Sequence, residues 1–353
     1  MRISRKCGCH FTSSFSATAK TVIELFSPYS GKSDMKTLKT LALVTGLLTT
    51  IAQPAAAADV LRIGYMAFVP YSAILLAREN GWVEEELAKS GREDVKVEWA
   101  QFAGGPPVNE AFASGAIDVA ALGDSPAIAG HAAGIDTRLV GLAYKGGAAQ
   151  ALLVKSDSEY QTVSELAGKN VATLRGGNVH ELLVLVLNEA GLEISDVEFV
   201  NLGLQDMETS LLRGDIQAAL VWDPVFTRLE TEGKARVLRD GAGLKNNLNP
   251  VVASADLIET DPDLVKAYLN ALNRGADFIR ENPEEAANTL SPIFALTPDQ
   301  LLVAFERSEF SPQVTDEVEA EITRSIAFML ENRLIRQSFE VNDFVDVSLS
   351  ESQ

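Results

Sequence analysis

The feature that most constrains this chain is a strand, turn and helix grammar that runs through it twice. In the first pass residues 60–65 read as a strand, 70–80 as a helix closed by Gly81, and 95–102 as an alternating strand. Gly104-Gly105-Pro106 then opens a helix to Ser114, and the apolar strand 117–122 runs into Gly123-Asp124-Ser125-Pro126 at the head of another helix. The second pass gives strand 171–174, helix 180–190, strand 197–202, helix 206–213 and strand 218–222, with Asp223-Pro224 opening one more helix. Val97-Glu98-Trp99 lines up with Val197-Glu198-Phe199, and Gly115-Ala116-Ile117 with Gly214-Asp215-Ile216. Each pass ends in an Asp nine residues after that glycine, Asp124 and Asp223. Alternating strands and helices imply an α/β fold with mostly parallel sheets and a ligand outside the carboxyl ends of the strands. The duplication predicts two lobes of like architecture.

The apolar run 41–51, preceded by Lys36 and Lys39 and followed by Ala55-Ala56-Ala57-Ala58, predicts a secretory signal peptide with its natural start at Met35 and residues 1–58 removed. That run is too short to anchor, no other reaches about 18 residues, and no cysteine stands at the cleavage region. A soluble periplasmic product is therefore expected. Cys7 and Cys9 leave with the leader, and a remainder of roughly 300 residues buries enough surface to fold without a disulfide. The formal charge is −19, and the leader holds seven of the 30 basic but only two of the 49 acidic residues, so the remainder is more acidic still. Such a surface argues against nucleic acid or anionic membrane as partner. An anionic ligand would be held by local N–H donors against the global field. The expected division is 59–146 with 256–353 as the first lobe and 147–255 as the second, with hinges at 145–149 and 249–255. Four tail helices, 262–281, 283–294, 298–306 and 316–332, are expected to pack on the first lobe.

Six turns at equivalent strand ends supply the candidate ligand residues: Phe68 and Tyr71; Gly104 and Gly105; Asp124 and Ser125; Gly177, Asn178, Val179 and His180; Gln205; Trp222 and Asp223. The Gly176-Gly177 turn leads directly into a helix whose first N–H groups, on Asn178, Val179 and His180, suit an anion. For Asp124, Asp206 and Asp223, ordinary helix capping is the first role expected, ahead of ligand contact. The dipole disfavours a proton on His180, which is expected to act as a neutral donor. Phe68, Tyr71 and Trp222 line either an apolar pocket or the core. Beyond the leader only His131 and His180 remain as histidines, with no cysteine and no HExxH, nucleophile-elbow, Walker A or GxGxxG pattern. No enzyme activity, metal or cofactor is expected.

Leu61-Arg62-Ile63-Gly64-Tyr65, Gly123-Asp124-Ser125-Pro126, Leu166-Ala167-Gly168-Lys169, Gly176-Gly177-Asn178-Val179-His180, Val221-Trp222-Asp223-Pro224 and Glu331-Asn332-Arg333-Leu334 together resemble the periplasmic substrate-binding proteins of ABC importers for aliphatic sulfonates, taurine and nitrate. The Trp-Asp-Pro and Glu-Asn-Arg-Leu elements look nearest to the aliphatic sulfonate binders. The resemblance implies a two-lobed periplasmic binding protein fold of type II, a monomer that holds a small organic anion in its cleft and delivers it to an inner-membrane permease with a cytoplasmic ATPase. Two departures bear on the ligand. The family's Gly-Ser-Ser-x-His type turn reads Gly177-Asn178-Val179-His180 here, and the first loop, Met66 to Tyr71, is more apolar and aromatic. A sulfonate with a bulkier organic group fits both; nitrate, bicarbonate, a carboxylate, a pyrimidine-type cofactor precursor, or an enzyme on the same fold stand as alternatives.

Overall fold

Short β-branched and alanine-rich runs form ten strands in this computed structural model, which describes residues 60–311 and 313–349. Met35, the apolar run 41–51, the alanine run, Cys7 and Cys9 lie outside the described residues, as does the end of the chain from 350. The strands are β1 (Val60–Tyr65), β2 (Lys96–Gln101), β3 (Val119–Ala121), β4 (Thr137–Tyr144), β5 (Gln150–Lys155), β6 (Asn170–Thr173), β7 (Glu198–Asn201), β8 (Ala218–Trp222), β9 (Ala235–Asp240) and β10 (Asn249–Ser254).

They build two five-stranded sheets, ordered β2-β1-β3-β10-β4 and β7-β6-β8-β5-β9. In each, three strands run parallel and the fourth, β10 or β5, runs antiparallel between two neighbours. The internal echo is thus real at the level of register. Trp99 pairs with Ile63 at the edge of the first sheet and Phe199 with Val171 at the edge of the second.

One expected boundary moves. Residues 249–255, read as a hinge closing the second lobe, contain β10, whose Val251, Val252 and Ala253 are buried in the core of the first sheet. Pro250 sits at a register shift in the ladder, where a residue without an N–H costs least. The second crossing is therefore residues 241–248. It runs against the first: a Cβ on Gly147 would lie 2.9 Å from the carbonyl oxygen of Lys245. Strands β4 and β5 flank the first crossing and belong one to each sheet, and the helix Trp82–Lys89 and β9 were not foreseen.

The tail helices Pro262–Glu281, Pro283–Phe294, Pro298–Glu306 and Asp316–Glu331 share one hydrophobic core with the first sheet. Leu76, Leu272 and Leu290 are buried there, each contributing about 1.5–3 kcal/mol. Helix Pro262–Glu281 crosses helix Ser72–Glu79 so closely that a Cβ on Gly275 would sit 2.1 Å from the Ala73 carbonyl oxygen. Only glycine permits that approach.

Candidate functional site

The carboxyl ends of the parallel strands in both sheets open onto one cavity between the lobes. Met66, Phe68, Pro70 and Tyr71 follow β1; Gly104, Gly105 and Pro106 follow β2; Gly123 and Pro126 follow β3. From the second sheet come Gln150 at the head of β5, Leu174, Gly177, Asn178 and Val179 after β6, and Trp222 at the end of β8; the crossing adds Asn247 and leads to Asn249 in β10. The lobes close tightly around this space. It leaves about 40 Å³ to the centre of a water-sized sphere, where one water needs about 10–15 Å³ on the same measure. Phe68 of the first lobe meets Trp222 of the second edge to face, ring centroids 5.7 Å apart, and also packs 6.5 Å from Tyr71. A Cβ on Gly105 would lie 2.4 Å from the Pro126 ring, so this wall needs glycine to bring two loops together.

Several polar groups at the wall are already engaged. The Tyr71 hydroxyl donates to Asn249 Oδ1 at 2.8 Å, and burial pushes its phenol above the ordinary range. Asn247 Oδ1 accepts from Asn249 Nδ2 at 3.1 Å and from Asn178 Nδ2, linking the crossing to the second lobe. Three groups remain open. Gln150 is 1% exposed and its side-chain amide has no hydrogen-bond partner among the described residues; the same holds for Asn247 Nδ2 and the Trp222 indole N–H. Gln150 and Trp222 pair across β5 and β8, which places both side chains on one face. No lysine, arginine or histidine lines the cavity among the described residues.

Eight of the thirteen sequence-derived candidates line this cavity: Phe68, Tyr71, Gly104, Gly105, Gly177, Asn178, Val179 and Trp222. The other five lie elsewhere. His180 is buried against Phe199, ring centroids 5.2 Å apart, with Nδ1 accepting from the Gly176 N–H at 3.5 Å; burial and then Arg175 lower its pKa, so it is neutral. Asp223 caps its helix by accepting from the Thr227 N–H at 2.8 Å, while its Oδ2 is buried without a partner and burial raises its pKa. Asp124 pairs with Lys245, and Ser125 donates to Glu181. Gln205 is exposed on its helix, away from the cavity.

The expected cage of helix N–H groups is also reduced. The His180 N–H closes onto Gly177 O at 2.9 Å and the Val179 N–H onto Asn178 Oδ1 at 3.1 Å, so of the three only the Asn178 N–H is left. At the head of helix Asp124–Ala132 the Asp124 and Ser125 N–H groups are bonded to Leu248 O and Asp124 Oδ1. The donors left open at the wall are therefore mostly on side chains. Gln150, Asn247 and Asn249 escaped the sequence reading because they stand in or beside the segments read as hinges; the signal available was an amide heading the apolar run Ala151 to Val154, and the Asn246-Asn247-Leu248-Asn249 cluster.

Among the described residues no His, Cys, Asp or Glu group could hold a metal ion, and no helix is long and apolar enough to cross a membrane. The family model described as NMT1/THI5 like matches residues 70–286. The alkanesulfonate-binding protein SsuA of Xanthomonas axonopodis pv. citri, solved bound to MOPS, superposes with a TM-score of 0.74 at 27% identity over 82% of this chain and 98% of that one. The periplasmic aliphatic sulphonate binding protein SsuA of Escherichia coli gives 0.72 at 27% over 81% and 91%. The taurine-binding periplasmic protein of Escherichia coli is 32% identical over 177 residues, 49% of this chain and 54% of that protein.

Proposed function

The chain belongs to the NMT1/THI5-like family and has the two-lobed periplasmic binding protein fold, and on that premise we propose that it is the solute-binding protein of an ABC importer, capturing a small organic sulfonate between its lobes in the periplasm and handing it to a membrane permease. The observation that carries the reading is the cavity closed from both sheets, with the unpartnered amide of Gln150 on one side and the apolar wall of Phe68, Tyr71 and Pro70 on the other. The Gln150 amide lines the cavity without a partner among the described residues, so a ligand oxygen there would gain a hydrogen bond at no cost to the fold. A sulfonate spreads one negative charge over three oxygens. Neutral N–H donors from Gln150, Asn247, Trp222 and the Asn178 backbone satisfy such a group without a lysine or arginine, while the aromatic wall takes the organic part. The ligand is bound and released unchanged.

A thermal-shift series tests this with taurine, short alkanesulfonates, an arylsulfonate, nitrate, bicarbonate and pyrimidines. A true ligand raises stability as RT ln(1 + [L]/Kd), about 2.7 kcal/mol at a hundredfold excess over Kd. Stabilisation by sulfonates above all others is the expected result. Stabilisation by nitrate, bicarbonate or a pyrimidine alone would move the ligand class, and chemical turnover of any of them would replace binding with catalysis.

A further inference from the structure

Beside the cavity, four elements bring charged and hydroxyl groups into one buried cluster. Asp124 and Ser125 come from helix Asp124–Ala132 of the first lobe and Glu181 from helix Asn178–Glu189 of the second; Lys245 sits in the crossing 241–248, and Ser325 in the tail helix Asp316–Glu331. Lys245, Asp124, Glu181, Ser125 and Ser325 are each no more than 6% exposed. The Lys245 ammonium has three N–H donors and three acceptors: Asp124 Oδ2 at 2.5 Å, Glu181 Oε2 at 3.0 Å and Ser325 Oγ at 2.9 Å. The Ser125 hydroxyl donates to Glu181 Oε2 at 3.2 Å, and Ser325 Oγ lies 3.2 Å from Glu181 Oε1 and 3.5 Å from Asp124 Oδ2. The cluster thus joins both lobes and a hinge crossing through one ammonium.

We propose that this cluster is a proton-dependent latch of the closed form, in which Glu181 binds one proton when the lobes shut and gives it up when they part. Two carboxylates around one ammonium leave one uncompensated negative charge among side chains that are all buried, and a proton on Glu181 cancels it. With that proton on Oε1, Glu181 donates to Ser325 Oγ, the Ser325 hydroxyl turns to Asp124 Oδ2, and Oε2 still accepts from Lys245 and Ser125. Separation of the lobes carries Glu181 away from Asp124 and Ser125 into solvent, where a glutamate ionises with a pKa of about 4.3.

Other charged groups stand around Glu181. Glu317, Glu321 and Arg324 line the adjoining groove from the tail helix; Glu321 is held by the Asn246 N–H at 2.7 Å and its Nδ2 at 2.7 Å, with Arg324 3.9 Å away. On the helix of Glu181 itself, neutral His180 faces Phe199. Within the cluster, burial pushes the Glu181 carboxyl up, Lys245 pulling it down and Asp124 pushing it up. Burial opposes the Lys245 charge, yet Asp124 and Glu181 hold its pKa above the ordinary lysine value, so the ammonium persists.

The sign follows from linkage. A carboxyl whose pKa is higher in the closed form favours closure below that pKa, and the advantage is lost as pH rises through it, by up to about tenfold in the closing equilibrium per pH unit for one proton. The proposal depends on lobe closure and not on the ligand, so its test is made without one. Spin labels at Ser114→Cys and Asp215→Cys, exposed positions on the first and second lobe, report the interlobe distance from pH 8 to 4.5. The wild-type background should shift toward the closed distance as pH falls. Glu181→Gln, which keeps the size and hydrogen bonding of the protonated acid, should sit closed with no pH dependence across the same range. A wild-type distance distribution that does not change with pH, or a Gln variant that keeps the full pH response, overturns the latch. Glu181→Ala provides the second check: it removes the pH response and does not favour the closed distance as Gln does. Failure of sulfonates to bind leaves these distances unaffected, so the two proposals fail separately.

Discussion

At the scale of single residues, the cavity wall holds polar groups already engaged within the protein and others that have no partner among the described residues. Tyr71 and Asn249 satisfy each other, and His180 is sealed against Phe199; Gln150, Asn247 and Trp222 line the cavity and retain donors without a partner among the described residues. Asn247→Ala is therefore predicted to weaken sulfonate affinity about tenfold or more, since a hydrogen bond to a charged acceptor is worth about 1.5–3 kcal/mol. His180→Phe should leave affinity within about twofold in the same titration. That variant has a second expected effect. Burial and Arg175 lower the His180 pKa from the 6.5 of a free imidazole, so the unfolded state binds the proton first as pH falls. The stability His180 supplies is complete above pH 6.5 and is lost below it, toward the folded pKa. Melting curves between pH 7.5 and 5 should consequently show a smaller acid loss for His180→Phe than for the wild type.

At the scale of elements, strand and helix order was legible because period-2 and period-3.6 patterns report on which face is buried, and the glycines at turns are set by backbone geometry. The echo between Val97-Glu98-Trp99 and Val197-Glu198-Phe199, read as a sign of two like lobes, falls on the edge strands β2 and β7 of the two sheets. Membership of β10 was not legible: an apolar run after a crossing can join either sheet, and only packing against β3 and β4 decides it. Half of the polar site was hidden for the same reason, since Gln150, Asn247 and Asn249 acquire their place from the exact point where the chain passes between lobes. Turn sequence alone also overstated the free helix donors, because His180 N–H and Val179 N–H find partners within their own turn. One close contact gives a test independent of the ligand. Gly275→Ala forces a methyl against the Ala73 carbonyl and should lower stability by about 1–3 kcal/mol. Denaturant unfolding would register this as a reduced midpoint, and an unchanged midpoint would mean that the two helices can move apart freely.

At the scale of the whole molecule, two like sheets, two adjacent crossings and a cavity lined from both lobes are the geometry on which the proposed capture of a small solute rests. Gly123 of the first lobe lies so near Asn178 of the second that a Cβ would stand 3.2 Å from its amide carbon. On the proposed function, a ligand held between the lobes would select the closed form by its differential affinity. Solution scattering should show the radius of gyration fall when a saturating sulfonate is added, with residues 145–149 and 241–248 absorbing the rotation. An unchanged radius from an open ligand-free state would place the binding event outside the cleft. The most direct measurement is titration calorimetry of taurine and short alkanesulfonates into the wild type and Gln150→Leu. The account predicts saturable one-to-one binding by the wild type and a loss of about tenfold or more in the variant; no heat from any sulfonate, or equal affinity in a folded Gln150→Leu protein, would contradict it.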